Sequence, residues 1–386
     1  MLLLAIIYLG YICLGLPDSL FGPAWPVIHT DFGIPVSYAG FITVTVYGTT
    51  IFSGLMADRV TRKLGTGLVT AISVGLTALA LLGFAFSNNF RLLLLFAIPM
   101  GLGAGGVDAS LNNYMAIHYS SKFMSWLHCF WGIGAIISPY IMSFWLKNDL
   151  QWQNGYLTVG ILQSVLTAIL FISLPLWKKN TEVSEEAASS SPPLPYSQIF
   201  RLKGIVSMLL SFTAYCAIEG IAFSWTSSYL VSGRGMSAES GAKYAALFYL
   251  GMTVGRLITG FFANKVGDRN VTRLGWAIGL AGIAMILLPA DADVFALIGL
   301  FVFGFGCGPI FPALMHSTPA IYGADKSQSI VGLQMAFGYM GSTLMPPVFG
   351  IAARHISAGL YPFFILFFML MTVILTENLN RKTSRI

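Results

Sequence analysis

Twelve stretches of this chain are apolar for long enough to cross a bilayer as helices, and the segments joining them are short. A hydrocarbon core of about 30 Å takes about twenty apolar residues in α-helical form. The stretches that qualify run over 3–29, 37–57, 66–86, 91–117, 123–146, 155–177, 204–231, 240–263, 271–289, 294–321, 327–352 and 357–376. Water is absent at that depth, so each segment has to pair its own backbone N–H and C=O groups, which the helix does. Composition agrees: 56% hydrophobic and 9% charged residues, with a mean hydropathy of +0.76, leave too little polar surface to cover a soluble globule of 386 residues. The expected fold is an all-α integral membrane protein with twelve transmembrane helices. The first segment reads as a retained helix, because it lacks a basic leader, carries Asp18 and outruns the core of a cleaved signal.

The net charge of +6 does not point to nucleic acid, since the basic residues lie between the hydrophobic segments. With both termini inside, fifteen Lys and Arg fall on the cytoplasmic side and five on the other; Arg256 lies within the eighth segment and belongs to neither count. That bias predicts a multi-pass protein of the cell membrane with cytoplasmic termini. Cys13, Cys129, Cys216 and Cys307 all sit in apolar segments without paired or metal-type spacing, so no disulfide, metal or cofactor is implied.

One long hydrophilic stretch, Lys178 to Lys203, contains Glu182-Val183-Ser184-Glu185-Glu186 and Ser189-Ser190-Ser191-Pro192-Pro193 and has the composition of a flexible linker. It divides the chain into an N-terminal six-helix bundle, 1–177, a cytoplasmic linker, 178–203, and a C-terminal six-helix bundle, 204–386. The halves share a pattern: Gly54-Leu55-Met56-Ala57-Asp58-Arg59 follows segment two as Gly260-Phe261-Phe262-Ala263-Asn264-Lys265 follows segment eight. A parallel repeat of this kind predicts a cavity between the halves.

At these residues, and over essentially its whole length, the chain resembles the major facilitator superfamily. Gly54 to Lys63 is similar to that family's G-x-L-a-D-r-x-G-r-k signature, with Thr61 at the second glycine. The resemblance implies a gating latch formed by Gly54, Asp58, Arg59, Arg62 and Lys63; the same basic residues also serve as topology anchors. Because Asn264 lacks the charge of Asp58, the latch is expected to be asymmetric and dominated by the first half. Within the superfamily the chain resembles the fucose-permease-like sugar:proton symporters, which carry an aspartate in the first helix and, in the fourth, an acid followed four positions later by asparagine. Here those are Asp18 and Asp108-Ala109-Ser110-Leu111-Asn112. Gly251-Met252-Thr253-Val254-Gly255-Arg256 and Gly308-Pro309-Ile310-Phe311-Pro312 are also similar to patterns in that group. The chain departs from it at Asn113, where proline often follows, and at His128 and Trp131, where amide side chains are expected.

Asp18, Asp108 and Glu219 are acids inside otherwise apolar segments. A carboxylate in hydrocarbon costs about 3 kcal/mol, so these three are the candidate proton-coupling residues. Asp108 leads, because Asn112 lies one turn away on the same helical face with Asn113 beside it. A carboxylate removed from water favours its neutral form, so protonation there can bias a helix bundle between two states. Asp18, between Pro17 and Gly22-Pro23, reads either as a local cap for an interrupted helix or as a proton or hydroxyl site. Glu219 stands at comparable depth in the seventh segment, with Trp225 six residues on as Trp25 is seven after Asp18. Arg256 either snorkels to the headgroups or gates by pairing with an acid across the halves.

Asn112, Asn113, His128, Trp131, Trp225 and Gln334 are the candidate substrate contacts: rings cover the apolar face of a pyranose and amides bond its hydroxyls. Gly101, Gly103, Gly105 and Gly106 lie inside a spanning helix, with neither a preceding strand nor a Gly-Lys-Ser/Thr, and predict close helix packing rather than a phosphate loop. The sequence as a whole predicts a monomeric secondary transporter, not an enzyme, importing a small-molecule substrate, a sugar foremost, with protons by rocker-switch alternating access. Sodium is the other candidate coupling ion. The alternatives are a drug or metabolite efflux antiporter of the same fold, for which Gly132 to Pro139 gives only a poor G-P-x-x-G pattern, and a membrane sensor or enzyme, which no motif supports.

Overall fold

The computed structural model describes residues 2–147, 151–181, 194–288 and 293–383. Among the described residues, ten helical segments are long and apolar enough to cross a membrane. The first is Leu2–Asp18 continued by Phe21–Asp31. Spans two to six are Ala39–Leu64, Thr66–Ala85, Phe90–His118, Ser121–Lys147 and Trp152–Ile172. The seventh is Ile205–Ser228, the eighth Ala238–Val266, the tenth Asp293–Cys307 with Ile310–Tyr322, and the twelfth Tyr361–Thr383. Asp268–Ile286 and Ala324–His355, whose ends carry more charge, supply the ninth and eleventh spans. Large apolar side chains such as Phe41, Phe52, Phe261 and Ile374 are exposed along these helices, as lipid-facing positions require.

Lipid is as apolar as a leucine side chain, so packing inside a membrane rests on close backbone approach, which small residues permit. The glycines record this twice. In the first half, a methyl on Gly15 would meet the Trp131 carbonyl and one on Gly134 the Ile12 carbonyl, joining spans one and five. In the second half, Gly220 meets the Ser342 carbonyl and Gly341 the Thr213 carbonyl, joining spans seven and eleven. Gly101 and Gly105 bring span four onto the carbonyls of Val46 and Thr50 in span two; Gly251 and Gly255 bring span eight onto those of Phe301 and Phe305 in span ten. Gly103 and Gly106, on another face of span four, rest on Ser73 of span three. The glycine run thus serves two helix interfaces, as its setting in a spanning segment predicts.

Two spans are broken, both at proline. Pro17 and Pro23 flank the interruption after Asp18, where the Leu20 N–H reaches the Pro17 carbonyl at 3.3 Å. Pro309 interrupts the tenth span, because its ring nitrogen has no hydrogen to give. Both breaks leave carbonyls that need partners from neighbouring helices.

By contacts the chain forms two units. One comprises Met1–Tyr114, Leu127–Pro193 and Ala324–Ala336; the other comprises Met115–Trp126, Leu194–Gly323 and Phe337–Ile386. The centre of the expected linker, residues 182–193, lies outside the described residues, as does Pro289 at the expected end of the ninth segment.

Candidate functional site

In the first unit, spans one, four and five present a shared polar face. Tyr11 and Asp18 lie seven residues apart on span one, about two helical turns, and so project the same way. Asp108 and Asn112 are a turn apart on span four, and His128 and Trp131 nearly so on span five. The Tyr11 hydroxyl donates to Asp108 Oδ1 at 3.4 Å. Asn112 Nδ2 donates to the Asp108 carbonyl at 2.9 Å and to its Oδ1 at 3.4 Å. With its NH2 so engaged, Asn112 accepts at Oδ1 from His128 Nε2, 3.1 Å away, which fixes the proton of that ring on Nε2. His128 meets Tyr11 edge to face, with centroids 5.5 Å apart. Trp131 Nε1 donates to Asp18 Oδ2 at 2.9 Å. Asp18 is exposed and Asp108 half-buried, while Asn112 and His128 are buried. The donors described here are neutral, and those to Asp108 Oδ1 are long.

The second unit builds its acid centre differently. Glu219 Oε1 accepts from Arg256 Nη2 at 3.0 Å and from the Tyr215 hydroxyl at 2.7 Å. Tyr215, one turn before Glu219, also reaches the Cys307 carbonyl at 2.8 Å, and Arg256 Nε reaches the Gly308 carbonyl at 3.3 Å. Those two carbonyls belong to the break at Pro309, so the ion pair also satisfies the interrupted tenth span. Arg256 is 3% exposed. It does not snorkel: its guanidinium is buried on Glu219 of the same half, where Gly255 lets span eight press against span ten.

The signature residues form a junction with the eleventh span. Asp58, buried, accepts from Arg62 Nε at 2.7 Å and from the Ser329 hydroxyl. Arg62 Nη2 also reaches the Asp325 carbonyl at 3.0 Å. Gly54 faces Gly332, where a methyl would come 2.5 Å from the Gly54 carbonyl oxygen. Arg59 and Lys63 are exposed and take no part in this closure. The repeat-related Asn264 bonds the Lys122 N–H through Oδ1 and the Ser120 hydroxyl through Nδ2, each at 3.0 Å. Span two ends on Gly65 and span eight on Gly267, with φ of 76° and 79° at ψ near 150°, a backbone conformation open essentially to glycine alone.

The structure gathers Asp18, Asp108, Asn112, His128 and Trp131 and sets other candidates apart. Asn113 accepts from Ser327 of span eleven at 2.6 Å, whereas the Asp108 cluster finds its partners on spans one and five. Trp225 spends its N–H on the Pro346 carbonyl at 2.9 Å and packs edge to face on Phe349. Gln334 is fully buried in span eleven. Tyr11 and Tyr215 were not singled out from sequence, though each stands one or two turns from an acid on its own helix, and that spacing was the available signal.

Twelve helical spans, packed within each half through glycine contacts and carrying carboxylates at mid-span, define a polytopic membrane transporter. The chain belongs to the Major Facilitator Superfamily, whose family model matches residues 7–346 and again 241–379. It is 22% identical over 362 residues to the MFS-type transporter YfkL of Bacillus subtilis, covering 90% of this chain and 88% of that one. It is 23% identical over 349 residues to the cis,cis-muconate transport protein of Acinetobacter baylyi, covering 86% and 83%. The fold is also that of the Escherichia coli fucose:proton symporter FucP, with a TM-score of 0.77 and 15% identity over 99% of this chain and 98% of that one.

Proposed function

We propose that this transporter takes up a small uncharged polar solute, a sugar foremost, together with a proton, by rocker-switch alternating access. The observation that carries the reading is the first unit's acid network. Asp108 accepts from Tyr11 and Asn112, two neutral donors that stay neutral when the carboxyl gains a proton. Solute hydroxyls would donate to the exposed Asp18, with the half-buried Trp131 ring beside it as an apolar platform. Arg256 is a buried basic side chain, and Glu219 neutralises it. An anionic solute would face Asp18 and Asp108 instead of a ready cation. The sugar named for FucP is consistent with this chemistry.

A second reading, uptake of a carboxylic acid with Arg256 as counter-charge, draws on the name of the muconate relative and requires Glu219 to release the guanidinium. Thermal-shift screening of the purified protein against neutral sugars, small carboxylates and lipophilic cations separates the readings. A sugar is expected to stabilise the protein, and less so after Asp18→Asn. Stabilisation by carboxylates that is lost in Arg256→Gln would establish the second reading, and stabilisation by lipophilic cations alone would turn the assignment to efflux.

A further inference from the structure

A third group of titratable side chains lies apart from both acid centres, where the first turn of span five meets spans nine and ten. Eight residues after Gly54 the chain carries Arg62, which folds back on Asp58; eight residues after Gly260 it carries Asp268, of opposite charge. Span eight stops at Val266, so Asp268 begins the next helix instead of extending the last. Its Oδ1 accepts from the Ser121 hydroxyl at 2.5 Å, and its Oδ2 lies 2.6 Å from His316 Nδ1. The other ring nitrogen, His316 Nε2, is 3.0 Å from the Tyr119 carbonyl oxygen. The imidazole is thus wedged between a carboxylate and a carbonyl.

That arrangement fixes a proton count. A carbonyl oxygen only accepts, so Nε2 carries a hydrogen. At 2.6 Å the nitrogen Nδ1 and the carboxylate oxygen also need a hydrogen between them, since two lone pairs at that distance repel. The pair is then either imidazolium with carboxylate or neutral imidazole with carboxylic acid. In both forms it holds one proton more than a neutral histidine beside an ionised aspartate.

We infer that His316 and Asp268 form a proton-binding site, and that occupancy by this proton is a condition for holding the first turn of span five against spans nine and ten. The other charged groups nearby are directed elsewhere. The Lys122 ammonium lies over the Trp126 ring at 4.4 Å and the Phe123 ring at 5.7 Å, Asn264 contributes a neutral amide, and Lys265 and Arg269 are exposed. Loss of the proton breaks one of the two bonds to the ring, and with it the tie to Tyr119 or to Asp268. The sign follows: the joined state binds the proton and the parted state releases it, so low pH favours the joined state and rising pH favours parting. One linked proton changes that ratio by at most about ten-fold per pH unit. The inference rests on this junction parting during alternating access, and it is independent of which solute moves.

The test uses the full chain without solute, with the four native cysteines replaced by alanine and one cysteine placed at Ser125, which is 2% exposed on the early turns of span five. Its maleimide labelling rate is divided by that of a cysteine at the exposed Lys63, which removes the pH dependence of thiol reactivity. With His316 intact the ratio is expected to rise about five-fold or more from about pH 6 to about pH 8, the range in which histidine titrates. In His316→Gln and in Asp268→Asn it should be higher at low pH and flat. A flat ratio with both residues intact overturns the inference whether or not the variants fold, and so does an unchanged pH dependence in either folded variant. Because no solute is present, failure of the sugar reading leaves these outcomes unaffected.

Discussion

The two acid centres solve the same problem with different chemistry. In the first unit Asp108 is met by a phenol and an amide at hydrogen-bond lengths near the upper limit, and Asp18 by an indole N–H. In the second, Glu219 is clamped by a guanidinium and a phenol at 3.0 and 2.7 Å, and the same side chains satisfy the carbonyls freed at Pro309. A carboxyl among neutral donors exchanges a proton without exposing an opposite charge, whereas one that closes an ion pair does not. This contrast underlies the proposal that proton exchange belongs mainly to the first unit and that Glu219 serves the integrity of the second.

The largest expected effect is at Asp108. Asp108→Asn keeps the size of the side chain and its capacity to accept from Tyr11, yet it cannot titrate. In proteoliposomes with an imposed pH gradient, solute accumulation is expected to vanish while solute exchange without a gradient persists and loses its pH dependence. Accumulation at the wild-type level would move the proton to Asp18 or Glu219 and erase the contrast between the units.

Breaking the second centre should cost stability first. Arg256→Gln leaves Glu219 without its guanidinium and the Gly308 carbonyl with one donor fewer, a loss of about 3 kcal/mol by analogy with other buried pairs. Unfolding in detergent should show a clear fall in Tm, and the double variant Arg256→Met with Glu219→Met should recover much of it. A full-stability Arg256→Gln that loses only coupling would mean that Glu219 takes part in proton exchange as Asp108 does.

How legible these features were in sequence depended on their range. Spans, glycine interfaces and the Asp108–Asn112 pair follow from local hydropathy and helical spacing, and they could be placed by number. The partner of Arg256 was not legible, because nothing local distinguishes an arginine that snorkels from one drawn inward by Gly255 against a broken helix. Trp225 shows the same limit: its ring suits a solute, but its N–H is taken by the Pro346 carbonyl within the eleventh span. The expected asymmetry of the latch also took an unforeseen form. Asn264 does lack the charge of Asp58, yet an acid returns four residues later at Asp268 and finds its partner on span ten, far away in sequence.

The two junctions extend the comparison to a smaller effect. Asp58→Asn keeps an acceptor for Ser329 but removes the ion pair with Arg62, charge-assisted bonds of roughly 1–2 kcal/mol. Labelling of a cysteine at the nearly buried Thr61 should then rise about ten-fold as the junction opens more often. Solute binding should survive. Unchanged labelling together with unchanged transport would reduce Arg59, Arg62 and Lys63 to topology anchors.

The smallest expected difference is also the finest test of the contrast, and it lies in the two tyrosines. Tyr11→Phe removes one long, neutral bond to Asp108, whereas Tyr215→Phe removes a bond to Glu219 and another to the Cys307 carbonyl. Interhelical hydrogen bonds in membranes average about 0.6 kcal/mol, so each substitution is mild, and Tyr215→Phe should lower Tm more because it gives up two. Tyr11→Phe should leave Tm nearly unchanged and act on coupling. With one donor to Asp108 gone, the midpoint of pH-dependent uptake should move away from the wild-type value. Uptake in Tyr215→Phe should keep the wild-type midpoint. If the two variants shift that midpoint equally, both acids carry the transported proton, and the difference in their surroundings has no bearing on coupling.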